Sequence, residues 1–519
     1  MTGMEFTTVL LLTLWGFIVG IEPWFGSPIG LYFGIITSVV AGIIAGNPVV
    51  GAICGATLFL AFLGVVSLGG AAVPEQRTAA VVIPPIVIAT GIDPIKAVPL
   101  AWAVAVLGSY FYTLAMTANV GFAHLADKYA EEGNWRGVEI SNLLGLIPHG
   151  LAVAVPVFIF SYFGADFVNL LVKTLPSWIW TGLGAAGAVM TSLGVALLLN
   201  VVWKKEYTPI LLLGFSLVAY LNLSLIGLAI VGLSLIWLFY FMTGKAEALM
   251  ETLKSQSPSR EKKLTGKDIT NAFWRSWFLQ NNLNWERLEG IGFAFGILPI
   301  LKKLYSGDEL KKRVKNHLQF YNTTPYTHNI ILGLTIALEE ENADIDTISS
   351  VKASLMGPLA GIGDTIFWFT LATIIGGIGA SILQQGLVWG ALVTLILWIS
   401  IMWPLKYYFT KISYERGLTI AEMLTGPFMS EIKMLLTNFG LIMIGGIIAS
   451  FLSIKTPLAW EFAGLSVQKL LDSIMPKMLP LLFALFNVFL LRKGIKPLAL
   501  VLILFVLGFI LGVLGIISP

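Results

Sequence analysis

One carboxylate, Asp364, stands in an otherwise uncharged stretch, MGPLAGIGDTIFW at 356–368, with three glycines and a proline beside it. A charge at the bilayer centre costs about 2.5–3.5 kcal/mol on insertion scales, so an acid placed there faces a cavity or a partner. A broken helix offers that cavity, because unwound backbone survives in a membrane only where protein or water satisfies it. The plainer alternative is that the glycines permit close helix packing and Asp364 caps a helix. A second group comprises Gln280, Asn281, Asn282, Asn284, Trp285, Glu286 and Arg287. Amides and carboxylates hydrogen-bond the hydroxyls of sugars in pairs, while an aromatic ring covers the apolar sugar face. The same residues would also suit a solvated helix start. Asn322, Thr323 and Thr324 precede Pro325 in a similar polar cluster that an ordinary turn explains equally well. Glu22, beside Pro23 and Trp24, and Glu75, beside Gln76 and Arg77, bound a run of 52 residues without Asp, Glu, Lys or Arg. Each is a candidate sugar contact, and each also fits a loop acid near an interfacial Trp. The candidate substrate-binding set is therefore Asp364, Glu286, Asn284, Trp285, Gln280, Asn282, Asn322, Thr323, Glu75 and Glu22.

Other chemistries are poorly served. The four histidines, at 124, 149, 317 and 328, show no paired metal-ligand spacing, and no Walker-type phosphate loop is present. No Ser-His-acid or Cys-His set is suggested, so no catalytic residue, metal or cofactor is expected. The single cysteine, Cys54, excludes an intramolecular disulfide, and nothing in the sequence has a nucleic-acid signature.

The elements that must position these residues are membrane helices. The chain of 519 residues is 57% hydrophobic and 12% charged, against about 25% charged in soluble proteins. The uncharged run of 52 residues has room for two crossings of about 20 residues, and 41 more uncharged residues separate Asp364 from Lys406. The expected fold is an all-α polytopic membrane protein with broken or re-entrant helices, since Gly26-Ser27-Pro28, Gly46-Asn47-Pro48 and Ile83-Pro84-Pro85 interrupt apolar runs. Residues 1–17 read as a retained first segment, and Phe122–Arg136 as an amphipathic helix on the membrane surface or in a loop. Fourteen of the 32 Lys and Arg residues fall within 244–317, which marks a junction between two halves. The divisions are a membrane domain at 1–245, a linker at 246–261 containing the polar stretch 255–259, an amphipathic region at 262–350, and membrane helices at 351–519. Crossings in the last part are expected near 353–383, 387–409, 433–453, 474–491 and 497–517. Lys204 and Lys205, the cluster after Lys245, and Arg492, Lys493 and Lys496 would share the cytoplasmic face, with the C-terminus outside.

The second half closely resembles the IID component of the mannose/fructose/sorbose phosphotransferase system. The resemblance rests on KKLTGKDI at 262–269, NWERLEGIGFAFGILPILKKLY at 284–305, FYNTTPY at 320–326, LGLTIALEEE at 332–341, VKASLMGPLAGIGDTIFW at 351–368 and LLRKGIKPL at 490–498. The first half is similar to the partner IIC component through AGNPVVGAICGATLFLAFLGVVSLGGAAVPE at 45–75 and FAHLADKYAEEGN at 122–134. The resemblance implies two inverted, similarly folded components with re-entrant hairpins, fused here in one chain. It implies a multi-pass unit of the bacterial inner (plasma) membrane that carries a hexose or related sugar by an elevator-like motion, assembled as a homotrimer. The phosphate would come from a phosphorylated IIB or IIAB partner, because this chain has no phospho-carrier histidine motif of its own.

Departures from the family pattern fall on motifs associated with the pocket. Thr57-Leu58 is followed by Phe59 in place of an acid, Ser-Trp-Asn becomes Asn282-Leu283-Asn284, Asn-Thr-Gln-Pro becomes Asn322-Thr323-Thr324-Pro325, and an Arg-Pro becomes Ala372-Thr373. Losing one partner of a buried hydrogen bond costs about 1–3 kcal/mol, so the preferred sugar is left open. The alternative these losses raise is a divergent homologue that transports without group transfer, or a membrane sensor or receptor.

Overall fold

The computed structural model describes residues 4–66, 73–174, 176–242, 263–417, 427–460 and 465–518. The expected linker at 246–261, with its polar stretch at 255–259, lies outside the described residues. The first half contributes α1 (Phe6–Ile21), α2 (Ile35–Ile44), α3 (Pro48–Ala61), α4 (Gln76–Thr90), α5 (Val98–Glu132), α6 (Trp135–Leu144), α7 (Leu146–Thr174), α8 (Ser177–Val202), α9 (Thr208–Leu221) and α10 (Leu225–Met242). The second contributes α11 (Gly266–Ser276), α12 (Gly290–Leu304), α13 (Gly307–His317), α14 (His328–Glu340) and α15 (Ile345–Gly363). A π-helical turn, Asp364–Leu371, joins α15 to α16 (Ala372–Leu383), followed by α17 (Gly390–Arg416), α18 (Pro427–Phe451), α19 (Val467–Ile474), α20 (Met478–Arg492) and α21 (Pro497–Val513). The described β-structure is one pair of two-residue strands at 459–460 and 465–466. Among the described residues, six helices are long and apolar enough to cross a membrane, and α19 with α20, bent by 79°, makes a seventh if the pair is one span.

The interruptions behave differently from one another. Gly46-Asn47-Pro48 turns the short apolar helices α2 and α3 back on each other, with Asn47 Oδ1 accepting from Val50 N at 3.1 Å. Gly42 and Gly51 meet in this hairpin so closely that a Cβ on Gly42 would lie 2.6 Å from the Gly51 Cα. At 10 and 14 residues these helices are about 15 and 21 Å long, too short for a hydrocarbon core of about 30 Å. By contrast, Pro84 and Pro85 do not break α4. Pro84 cannot donate to Ala80 O, and the Ser38 hydroxyl from α2 donates there instead at 3.0 Å. The amphipathic segment expected at Phe122–Arg136 forms the last turns of α5 and runs into α6. With 35 residues, α5 is about 52 Å long and outreaches the bilayer.

Within the expected amphipathic region before Val351, two helices, α12 and α14, are apolar and almost wholly buried. Their charge-bearing neighbours cover them: α13 carries Lys311, Lys312 and Lys315 outside, and turns Leu310 and Val314 inward. Between these helices lies a buried ionic chain, in which Glu339 accepts from Arg313 at 3.0 Å and contacts His317 at 2.8 Å. Of the five later crossings expected, those near 353–383, 387–409 and 433–453 fall on helices long enough to span, that near 474–491 falls on the bent pair α19 and α20, and that near 497–517 falls on α21, a shorter apolar helix of 17 residues.

The two halves are interleaved. Helix α8 of the first half packs on α20 and α21 of the second, and α18 of the second packs on α9 and α10 of the first. Polar side chains stitch the remainder: Trp398 Nε1 donates to Ser27 O at 2.8 Å, Trp403 Nε1 to Pro28 O at 2.9 Å, and Asn119 Nδ2 to Leu283 O at 3.0 Å. Arg492 donates to the carbonyl of Trp203, which brings the basic residues 204–205 and 492–496 to one end of the bundle.

Candidate functional site

A recess lies where the two halves meet. Its first-half wall includes Pro23, Trp24, Tyr32 and Val66, and its second-half wall includes Gln280, Glu289, Asn322–Pro325, Ala360, Asp364 and Trp368. It holds about 70 Å³, space for roughly five waters at about 10–15 Å³ each.

The first-half wall is built around Glu22. Its buried carboxylate accepts from Ile29 N at 2.8 Å, Gly30 N at 2.9 Å and Leu31 N at 3.3 Å. These bonds curl residues 23–33 around one anion, with Gly26, Ser27 and Gly30 in the left-handed region that such a tight path requires. The curl presents Trp24 and Tyr32 to the recess. Trp24 is stacked with Tyr112 and His149, at centroid separations of 5.4 and 4.7 Å, and the Arg77 guanidinium lies 4.9 Å from its ring. Arg77 is itself held by Glu75, with Nε donating to Oε1 at 2.6 Å and Nη2 to Oε2. The wall is thus a rigid aromatic surface. The buried Trp24 Nε1 has no hydrogen-bond partner among the described residues.

The second-half wall supplies hydrogen-bonding groups. Glu289, buried at the start of α12, accepts from Gln280 Nε2 at 2.7 Å and from Thr323 N at 2.9 Å. Asp364 opens the π-helical turn, and its Oδ1 accepts from Thr324 Oγ1 at 2.7 Å. Gly363 makes this approach possible, since a Cβ there would lie 2.6 Å from Thr324 Oγ1. Among the described residues, Asp364 Oδ2 has no protein donor and the Asn322 side-chain amide makes no hydrogen bond. Trp368 closes the wall 5.4 Å from Tyr32. An amide, a carboxylate oxygen and aromatic faces therefore converge on one space. That combination suits a polyhydroxylated ring with one apolar face. Wide π-turns of this kind recur at functional positions.

Of the residues expected from sequence, Gln280, Asn322, Thr323 and Asp364 line the recess. Glu22 and Glu75 stand behind its aromatic wall. Asn284 accepts from the backbone of Glu286 at 3.0 Å and Arg287 at 2.9 Å, and Asn282 donates to Ser141 O at 3.0 Å. Both amides hold the loop between α11 and α12. Trp285 is 41% exposed and Glu286 meets His124 at 2.9 Å on the surface. Sequence reasoning did not single out Glu289, Tyr32 or Trp368 as site residues. Glu289 carried a readable signal: it is the last charge before the 12 uncharged residues that end at Lys302.

Comparison with known proteins agrees with this two-part construction. The family described as PTS system mannose/fructose/sorbose family IID component matches residues 263–517, and the one described as PTS system sorbose-specific IIC component matches residues 6–238. The chain is 33% identical over 286 residues to a mannose-specific EIID component of Escherichia coli O6:H1, covering 52% of this chain and 100% of that protein. It is 32% identical over 229 residues to a sorbose-specific EIIC component of Lacticaseibacillus casei, covering 43% of this chain and 81% of that protein. A solved structure described only as a membrane protein is 34% identical, covers 50% of this chain and 100% of its own, and superposes with a TM-score of 0.47. With IIC-like and IID-like parts in one polypeptide, the chain belongs to the mannose/fructose/sorbose family of phosphotransferase-system sugar-transport components.

Proposed function

We propose that the chain carries a hexose or related sugar inward across the bacterial inner membrane, by an elevator-like motion, and hands it to a phosphorylated IIB or IIAB partner. The observation that supports this reading most is that both halves line one recess, with an aromatic wall from the IIC-like part facing an amide and carboxylate wall from the IID-like part. Sugar held between the two would move only when the parts shift together, which is a reason to keep them in one chain. Asp364, Asn322, Gln280 and Thr323 are the proposed contacts, with Glu289 placing Gln280 and the Thr323 backbone. Of the remaining sequence candidates, Glu22, Glu75, Asn282 and Asn284 support the recess from outside its lining, and Trp285 and Glu286 lie at the surface. A homotrimer is the proposed assembly. The test is uptake by sealed vesicles containing the chain. Sugar phosphate is expected to accumulate only when phosphoenolpyruvate and the cytosolic carriers, including IIB, are supplied. Accumulation of phosphorylated sugar without any IIB would overturn the division of labour.

A further inference from the structure

A second, larger cavity of about 610 Å³ lies far along the chain from the sugar recess, between the end of α9, the end of α18 and the bend between α19 and α20. Its lining includes Lys455, Lys477, Asp472, Gln468, Asn222 and Ser453. Neither lysine makes an ion pair among the described residues. Asp472 is committed to the fold: Oδ1 accepts from the Lys477 backbone at 3.2 Å and Oδ2 from Gln468 Nε2 at 2.9 Å. These bonds hold Lys477 in the left-handed region at φ 61°, a conformation that a lysine rarely adopts. Two ammonium groups and one carboxylate leave the cavity with a net charge of about +1, which matches a phosphodiester better than a free phosphate of charge near −2.

The location points the same way. Helix α19 has Val467, Leu470, Leu471 and Ile474 at the spacing of one helical face, and Gln468 and Asp472 on the face turned to the cavity. None of its residues is buried, and Leu470 and Ile474 are 54% and 65% exposed. A short helix with an exposed apolar edge, bent 79° from the helix that follows, suits the membrane interface, which would set the cavity beside it at headgroup depth. We infer that this cavity binds the headgroup of an anionic glycerophospholipid such as phosphatidylglycerol, the phosphodiester between Lys455 and Lys477 and the glycerol hydroxyls against Asn222 and Ser453. Because α9 comes from the first half and α18 to α20 from the second, the lipid clamps the two halves together at one end.

The experiment is native mass spectrometry of the full chain released from vesicles of equimolar phosphatidylglycerol and phosphatidylcholine. The parent chain is expected to retain phosphatidylglycerol in preference. Each of Lys455→Gln and Lys477→Gln is expected to reduce that preference about fivefold, the effect of about one lysine near an anionic surface. Among the described residues the Lys455 side chain makes no hydrogen bond or ion pair, and its backbone pairs with Ser518, so Lys455→Gln tests the site without threatening the fold. Equal retention of the two lipids by the parent, or an unchanged preference in Lys455→Gln, would overturn the inference. So would displacement of the lipid by millimolar inorganic phosphate, which would identify a free-anion site.

Discussion

The acids of the first half and those of the second are used differently. Glu22 and Glu75 are saturated by the protein: one by three backbone N–H groups, the other by a bidentate arginine. Glu289 and Asp364 both line the recess; Glu289 accepts one bond at each oxygen, while Asp364 Oδ2 has no donor among the described residues. A buried carboxylate whose lone pairs are all taken is a structural anchor, whereas one with a free oxygen facing a cavity can take a ligand hydroxyl. The IIC-like half thus supplies shape and the IID-like half supplies recognition.

Substitution in the anchors should give the largest effects, and on stability rather than on sugar. Glu75→Gln leaves Arg77 buried against Trp24 without its charge partner, a loss of about 3–5 kcal/mol. Thermal unfolding in detergent should show a large fall in the midpoint or no folded protein. A stable Glu75→Gln chain that had lost sugar binding would break the comparison, because it would make Glu75 a ligand contact. Asp364→Asn should do the reverse. Its fold has one hydroxyl donor to lose, but the ligand loses a charge-assisted bond of about 1.5–3 kcal/mol, or about 10- to 150-fold in affinity. Titration of the purified chain with the transported sugar checks this, with the unfolding midpoint as the control.

Much of this arrangement was legible before the structure. Uncharged run lengths located membrane helices only in part: the 41 residues after Asp364 lie in two helices long enough to cross, whereas the run of 52 residues holds the short hairpin of α2 and α3 where two crossings were expected. The lone acid at 364 was readable because a charge within such a run needs a reason to be there. What could not be read was direction. Glu22 and Asp364 look alike in sequence, and only the path of residues 23–33 turns the first carboxylate onto its own backbone. The prolines of α4 were misleading for a similar reason: the hydroxyl that compensates Pro84 comes from Ser38, on another helix. The departures from the family pattern also needed coordinates. Phe59, one of those departures, is buried against Gly376, where a Cβ would lie 2.4 Å from its ring. Thr324, another departure, donates to Asp364 itself and so changes the recess directly.

The loop that carries Trp285 and Glu286 gives the finest test of the division. It has the composition of a sugar site, and Asn284 uses that composition to cap its own backbone. Its charged members reach outward instead: Arg287 meets Asp127 of α5 at 2.5 Å, and Glu286 meets His124. An exposed pair of this type contributes about 0.2–1 kcal/mol. Glu286→Gln should therefore leave both sugar affinity and the unfolding midpoint almost unchanged, while Asp364→Asn, measured alongside, loses affinity. A loss in Glu286→Gln as large as that in Asp364→Asn would mean that the loop closes over the recess when sugar binds. Recognition would then extend from the IID-like wall to the surface of α5, and the aromatic half would no longer be a passive face.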